Sequence, residues 1–146
     1  MKSTIEKAVL AFNILYGDVH RGGRNPGAKI GKMKEGDAFN MLKVIKELKP
    51  VATGYFDFMK DSAEKLKPEG IEIIQSKVAG EKALSPDEQK VWDEYNRKVA
   101  KCVEDELKRE VEFSFQPLSR EGFKGLVESN DFTLAEIVAL DEILGE

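Results

Sequence analysis

Arg21, Arg24, Lys29, Lys32 and Lys34 crowd one short glycine-rich stretch that runs from His20 to Lys34, with Pro26 in its middle and no acidic residue. Cations on so flexible a backbone can reach several phosphates, which makes the stretch a candidate anion or nucleic-acid contact. Gly27-Ala28-Lys29-Ile30-Gly31-Lys32 approaches a phosphate-binding loop without becoming one. It is one residue short, Met33 stands where a hydroxyl must bind magnesium, and no apolar strand precedes it. The stretch also lacks aromatics for base stacking, and the chain as a whole is acidic. A flexible, solvated loop at about 20–34 is the competing reading.

The remaining reactive residue types do not assemble into a site. His20 is the single histidine, which argues against classical zinc or copper ligation and against a Ser-His-Asp or Cys-His arrangement. Cys102 is the single cysteine, so no internal disulfide can form, and it falls on an apolar helical stripe where a packed thiol is expected. Glu104-Asp105-Glu106 and Asp141-Glu142 are consecutive, so on a helix their carboxylates point in different directions and do not converge. The expectation is a chain without catalytic residues, metal or cofactor, and not an enzyme.

The elements that position these residues are written in caps and periodicity. Ser3 with Glu6 reads as a capping box for a first helix, in which Ile5, Val9, Phe12 and Tyr16 form a stripe that Gly17 ends. A long helical stretch runs from about Asp37 to Leu66. Its apolar positions Leu42, Ile45, Leu48, Ala52, Tyr55, Met59, Ala63 and Leu66 are spaced for side-by-side packing. Pro50 predicts a kink or break near Leu48-Lys49. Residues 71–78 fit either a helix or a strand, and β-branching tips them toward a strand.

Ser85-Pro86-Asp87-Glu88 is the clearest helix start in the chain, opening an element over about 86–109. Val111, Phe113 and Phe115 then alternate with Glu112, Ser114 and Gln116, which predicts a half-buried strand ended by Pro117. Ser119 and Thr133 cap two short helices at the C-terminal end. A lone strand leaves its backbone unpaired, so 111–116 should pair with 71–75 or with the same strand of another copy.

The expected fold is therefore mainly α. An antiparallel pair of long helices, about 37–66 and 86–109, packs with shorter N- and C-terminal helices, and one short β pair completes a single domain over residues 1–146. Length, hydrophobic content of 41% and charged content of 34% suit one water-soluble domain. Charges interleave the N-terminal apolar residues, and no run approaches a membrane span, so a cytoplasmic protein without membrane contact is expected. The net charge of −4 is divided unevenly: residues 1–80 carry +4 and residues 81–146 carry −8, which suits head-to-tail contact between copies or between the two halves of one fold, with two solvated helix faces as the competing reading.

Aromatic residues exceed what one helix face can bury against a single neighbour, which suggests either a third layer within the fold or a partner surface. Tyr55, Phe56 and Phe58, together with Val111, Phe113 and Phe115, are the candidate protein-interaction surface. The expected partner is a protein, including a second copy of the chain as a homo-oligomer.

The order of the second half adds a resemblance. A long charged helix, then Glu110-Val111-Glu112-Phe113-Ser114-Phe115-Gln116-Pro117-Leu118-Ser119, a short helix and an acidic, apolar finish from Phe132 to Leu144 resemble small uncharacterised helical proteins encoded by tailed phages and prophages. The matching residues are Glu110 to Leu118 and Thr133 to Leu140; the looser layout extends back to about Asp37, and His20–Lys34 departs from it. The resemblance implies a bacterial host cell or virion setting and a role in particle assembly or another auxiliary task, with no catalytic residues to carry over. The functional expectation is a non-catalytic interaction or assembly protein; its rival is a small nucleic-acid-associated factor using residues 20–34.

Overall fold

Three residues at the very start of the chain supply the partner that the strand after the charged helix requires. In the computed structural model, which describes residues 1–17 and 27–145, β1 (Lys2–Thr4) pairs antiparallel with β2 (Glu110–Glu112), with Ser3 opposite Val111. Backbone bonds extend the ladder at both ends: Phe113 N donates to Met1 O at 2.8 Å and Ile5 N to Arg109 O at 3.0 Å. The expected partner, 71–75, is corrected by this pairing. Ser3 is correspondingly held in the ladder, its Oγ buried without a hydrogen-bond partner among the described residues, and the helix cap falls one residue later. Thr4 Oγ1 accepts from Lys7 N at 3.3 Å and opens α1 (Ile5–Tyr16).

The remaining helices are α2 (Glu35–Lys65), α3 (Ile71–Ala79), α4 (Pro86–Leu107), α5 (Arg120–Glu128) and α6 (Leu134–Leu144), so the described residues are mainly helical with one small sheet, as expected. The chain divides into two compact units, one made of 1–55 and 108–146, the other of 56–107. Helix α2 contributes to both and runs unbroken through Pro50. Lys46, whose carbonyl loses its donor to the proline, lies on the same exposed side as Pro50, where water can replace that bond.

In the first unit, α6 packs against α1. Lys7 near the start of α1 approaches Glu142 near the end of α6 at 3.9 Å. At the other end, Ala28 N donates to Leu15 O while Lys29 N donates to Asn130 Oδ1, four residues before α6 begins. The two helices are therefore antiparallel. Leu140, Ile143 and Leu144 of α6 and Ile5, Ala8 and Phe12 of α1 are buried. The C-terminal helix is tied in further by Leu118 N, which donates to Leu144 O at 2.7 Å. Thr133 and Glu136 form a reciprocal capping box at its start, and Ser119 Oγ caps α5.

In the second unit, 71–79 is helical, which corrects the strand expectation. Burial shows why: Ile71 is 0% and Ile74 6% exposed, whereas Ile73 is 64% exposed. A strand would have placed Ile71 and Ile73 on one face; steps of three bury one side of a helix. Ile71, Ile74 and Tyr95 form a small core against Leu66, Leu84, Val91 and Val99. Tyr95 OH donates to Ala63 O at 2.7 Å, and Cys102 Sγ lies 3.6 Å from Ser62 Oγ, so α4 runs antiparallel to the last turns of α2. Ser85 and Glu88 form a reciprocal capping box at the predicted helix start, at 3.0 and 3.1 Å. Lys77 bonds both oxygens of Glu88, at 2.9 and 2.8 Å. That lysine, followed by the Ser85 backbone, holds the Glu88 carboxyl below the usual carboxylate range.

Candidate protein-docking groove

Two glycines on α5 determine how the described part of the basic stretch sits. A Cβ on Gly122 would lie 2.9 Å from the Asp37 carboxyl, and one on Gly125 would lie 3.1 Å from Lys32 O, so α5 approaches 32–37 with no room for side chains. Ser129 Oγ accepts from Lys32 N at 2.8 Å, and Asn130 both accepts from Lys29 N and donates to Lys29 O, each at 2.7 Å. Lys29 and Lys32, within the expected flexible loop, are thus hydrogen-bonded to Asn130 and Ser129; Arg21 and Arg24, with His20, lie outside the described residues.

Lys34 and Glu121 pair at 2.7 Å. Their hydrogen bond raises the Lys34 pKa and lowers that of Glu121. Around them a shallow depression carries Lys32, Lys34 and Lys124 interleaved with Glu121 and Glu128. Lys32 and Lys34 therefore stand beside carboxylates rather than in a field of one sign, while Lys29 lies outside this depression.

The aromatic candidates do not form an outer face. Phe113 and Phe115 are buried in the first unit with their rings stacked at 5.2 Å, while Ser114 between them points outward and donates its N–H and its Oγ–H to Glu47 Oε1, at 2.7 and 2.9 Å. Those bonds, the backbone one first, pull the Glu47 carboxyl below its ordinary range. Tyr55 is also buried, and its pKa is raised by that burial. Val111, Phe56 and Phe58 are half-buried. Burial takes Tyr55, Phe113 and Phe115 out of the predicted interaction surface, and the inward residues of the alternation over 111–116 pack the chain's own core.

The apolar surface lies elsewhere in the first unit. The core stripe of α2 is Met41, Val44, Leu48, Ala52 and Tyr55, one position away from the stripe expected at its start. Leu42 and Ile45 consequently fall outside it, with Leu42 50% exposed. With Ala38 and Met41 they form one wall of a groove of about 260 Å³, completed by Leu15 and Tyr16 of α1 and by Ala28 and Ile30. Tyr16, Ile30 and Leu42 are exposed apolar side chains along it. Lys49 Nζ stands 5.3 Å from the Tyr16 ring centroid, a cation–π contact at the groove's margin. Lys46, also exposed, follows Leu42 by one turn of α2.

Sequence periodicity missed this groove because Leu42, Ile45 and Tyr16 read equally well as core. The available signal was two apolar stripes, 38/42/45 and 41/44/48, on the first turns of one helix; a single neighbour covers only one.

Among the described residues no His, Cys, Asp or Glu cluster could hold a metal ion, and no helix is long and apolar enough to cross a membrane. No family model matches the chain, and neither does any curated protein or solved structure.

Proposed function

We propose that this chain is a non-catalytic protein-interaction or assembly protein, and that the groove between α1, Ile30 and α2 receives an amphipathic helix with an acidic flank. The observation that carries the reading is the clustering of exposed Tyr16, Ile30 and Leu42 in one depression with Lys46 and Lys49 beside it. Scattered surface apolar residues need no explanation, but a contiguous set in a concave site holds water against hydrocarbon, and covering it is favourable. Helices bind such grooves through apolar residues at i and i+3 or i+4. The lysines set the preferred sign of the partner's polar edge.

The nucleic-acid reading has less support, because Lys34 is engaged by Glu121 and carboxylates alternate with the neighbouring lysines. A phage or prophage setting belongs to the same proposal and rests on the sequence resemblance alone.

Nuclear magnetic resonance titration with a designed helical peptide tests the reading. The peptide carries two leucines one turn apart, flanked by glutamates; a control carries lysines instead. The glutamate peptide should shift the amide resonances of Tyr16, Ile30 and Leu42, less so in high salt. Equal shifts with both peptides would remove the electrostatic part of the reading, and no shift with either would remove the groove as a docking site.

A further inference from the structure

We propose, resting on the reading of the groove as a docking site, that its occupant is the outer face of α6 from a second copy of this chain. Helix α6 buries Leu140, Ile143 and Leu144, yet leaves Leu134 77% and Val138 52% exposed, one turn apart. Asp141 occupies the next turn of the same outward face and is exposed, while Glu142 beside it is paired with Lys7 of α1. From Asp131 to Gly145 the chain holds Asp131, Glu136, Asp141 and Glu142 and no basic residue.

The groove wall repeats this order with the opposite charge. Leu42 and Ile45 come first, and Lys46 and Lys49 follow within a turn. Laid parallel to α2 of another copy, α6 sets Leu134 and Val138 against Leu42, Ile45 and Tyr16. The same placement brings Asp141 to Lys46 and Lys49, while Glu142 keeps its place beside Lys7 of its own copy. One register therefore satisfies both the apolar match and the charge match, in the direction of the imbalance between the positive first 80 residues and the negative remainder.

Within one copy, α6 turns Leu140, Ile143 and Leu144 into the core, so Leu134 and Val138 point away from it. The contact with another copy joins unlike surfaces head to tail, adding copies in a row or a ring. One short ridge in a small groove falls in the area range of transient complexes, below about 1,200 Å², so association is concentration-dependent.

Sedimentation velocity on the full chain tests this from about 10 µM to about 1 mM, a span covering weak affinities. The wild-type weight-average sedimentation coefficient should rise with concentration, and less so in high salt. Leu42→Asp and Leu134→Asp change exposed side chains, and circular dichroism verifies that each variant folds. Each alone should stay monomeric. Mixed in equal amounts they retain one intact groove and one intact ridge between them, so association should return and stop at pairs. Variants that associate like wild type, or a mixture that stays monomeric while wild type associates, would overturn the head-to-tail contact. A wild-type chain that is monomeric throughout would overturn self-association, and the glutamate peptide would then separate the two readings: binding leaves the groove as a site for another acidic helix, and no binding removes both.

Discussion

The two units are closed in different ways. The first is fastened by residues far apart in sequence: Met1 with Phe113, Ser3 with Val111, Lys29 with Asn130, Leu118 with Leu144. The second is made of consecutive helices, and its core of Ile71, Ile74 and Tyr95 forms from neighbours along the chain. Distant closure costs more loop entropy and needs a larger apolar core to offset it. The first unit has that core, and it also exposes the groove and the α6 ridge. The proposed docking surfaces thus lie on the unit whose parts are joined across the longest stretches of chain.

Removing core volume from the first unit should break this contrast most severely. Leu140 is 0% exposed beneath α1, so Leu140→Ala should cost about 2–5 kcal/mol. Denaturant unfolding would measure the loss, and hydrogen exchange should find the β1 and β2 amides loosened with it. Gly27→Ala comes next. The residue has φ of +89°, and an added Cβ would lie 2.9 Å from Tyr16 O, so a cost above about 1 kcal/mol is expected from the same unfolding curves.

The second unit can be weakened by smaller, local changes. Tyr95→Phe deletes the bond to Ala63 O and should cost about 1 kcal/mol, seen as faster exchange in α3 and α4 with the β1–β2 amides unchanged. Acid should act on the same unit. The folded Glu88 carboxyl is held low by Lys77 and the Ser85 backbone. Its contribution is complete above the unfolded carboxylate value of about 4.3 and is lost as pH falls through the lower folded value. A pH titration of α3 and α4 resonances should show that loss, and Glu88→Gln should flatten it. The smallest effect is expected at the ridge: Leu134→Ala should change stability by less than about 0.5 kcal/mol in a thermal melt, because the side chain touches little within its own copy.

Legibility in the sequence followed the distance over which each feature is determined. Ser85 with Glu88, Ser119 with Gly122 and Thr133 with Glu136 are bonds across three residues, and their spelling is local. The partner of Glu110–Glu112 lies more than a hundred residues away, in a strand too short for any alternation to show. Ser3 and Thr4 are adjacent hydroxyl residues, and only that distant pairing decides which one caps α1. Ile71-Glu72-Ile73-Ile74 carries two periods at once, and the buried Tyr95 with the partly buried Leu66 selects the helical one. The groove was hidden for a related reason: which of two overlapping stripes on α2 faces the core depends on where α1 packs.

Intermolecular paramagnetic broadening addresses the ridge-in-groove contact at residue level. A nitroxide attached through Leu134→Cys in a Cys102→Ser background is mixed with isotope-labelled wild-type chain. Selective broadening of Tyr16, Ile30 and Leu42 amides is the predicted result. Broadening centred on α6 itself, or spread evenly over the surface, would contradict it.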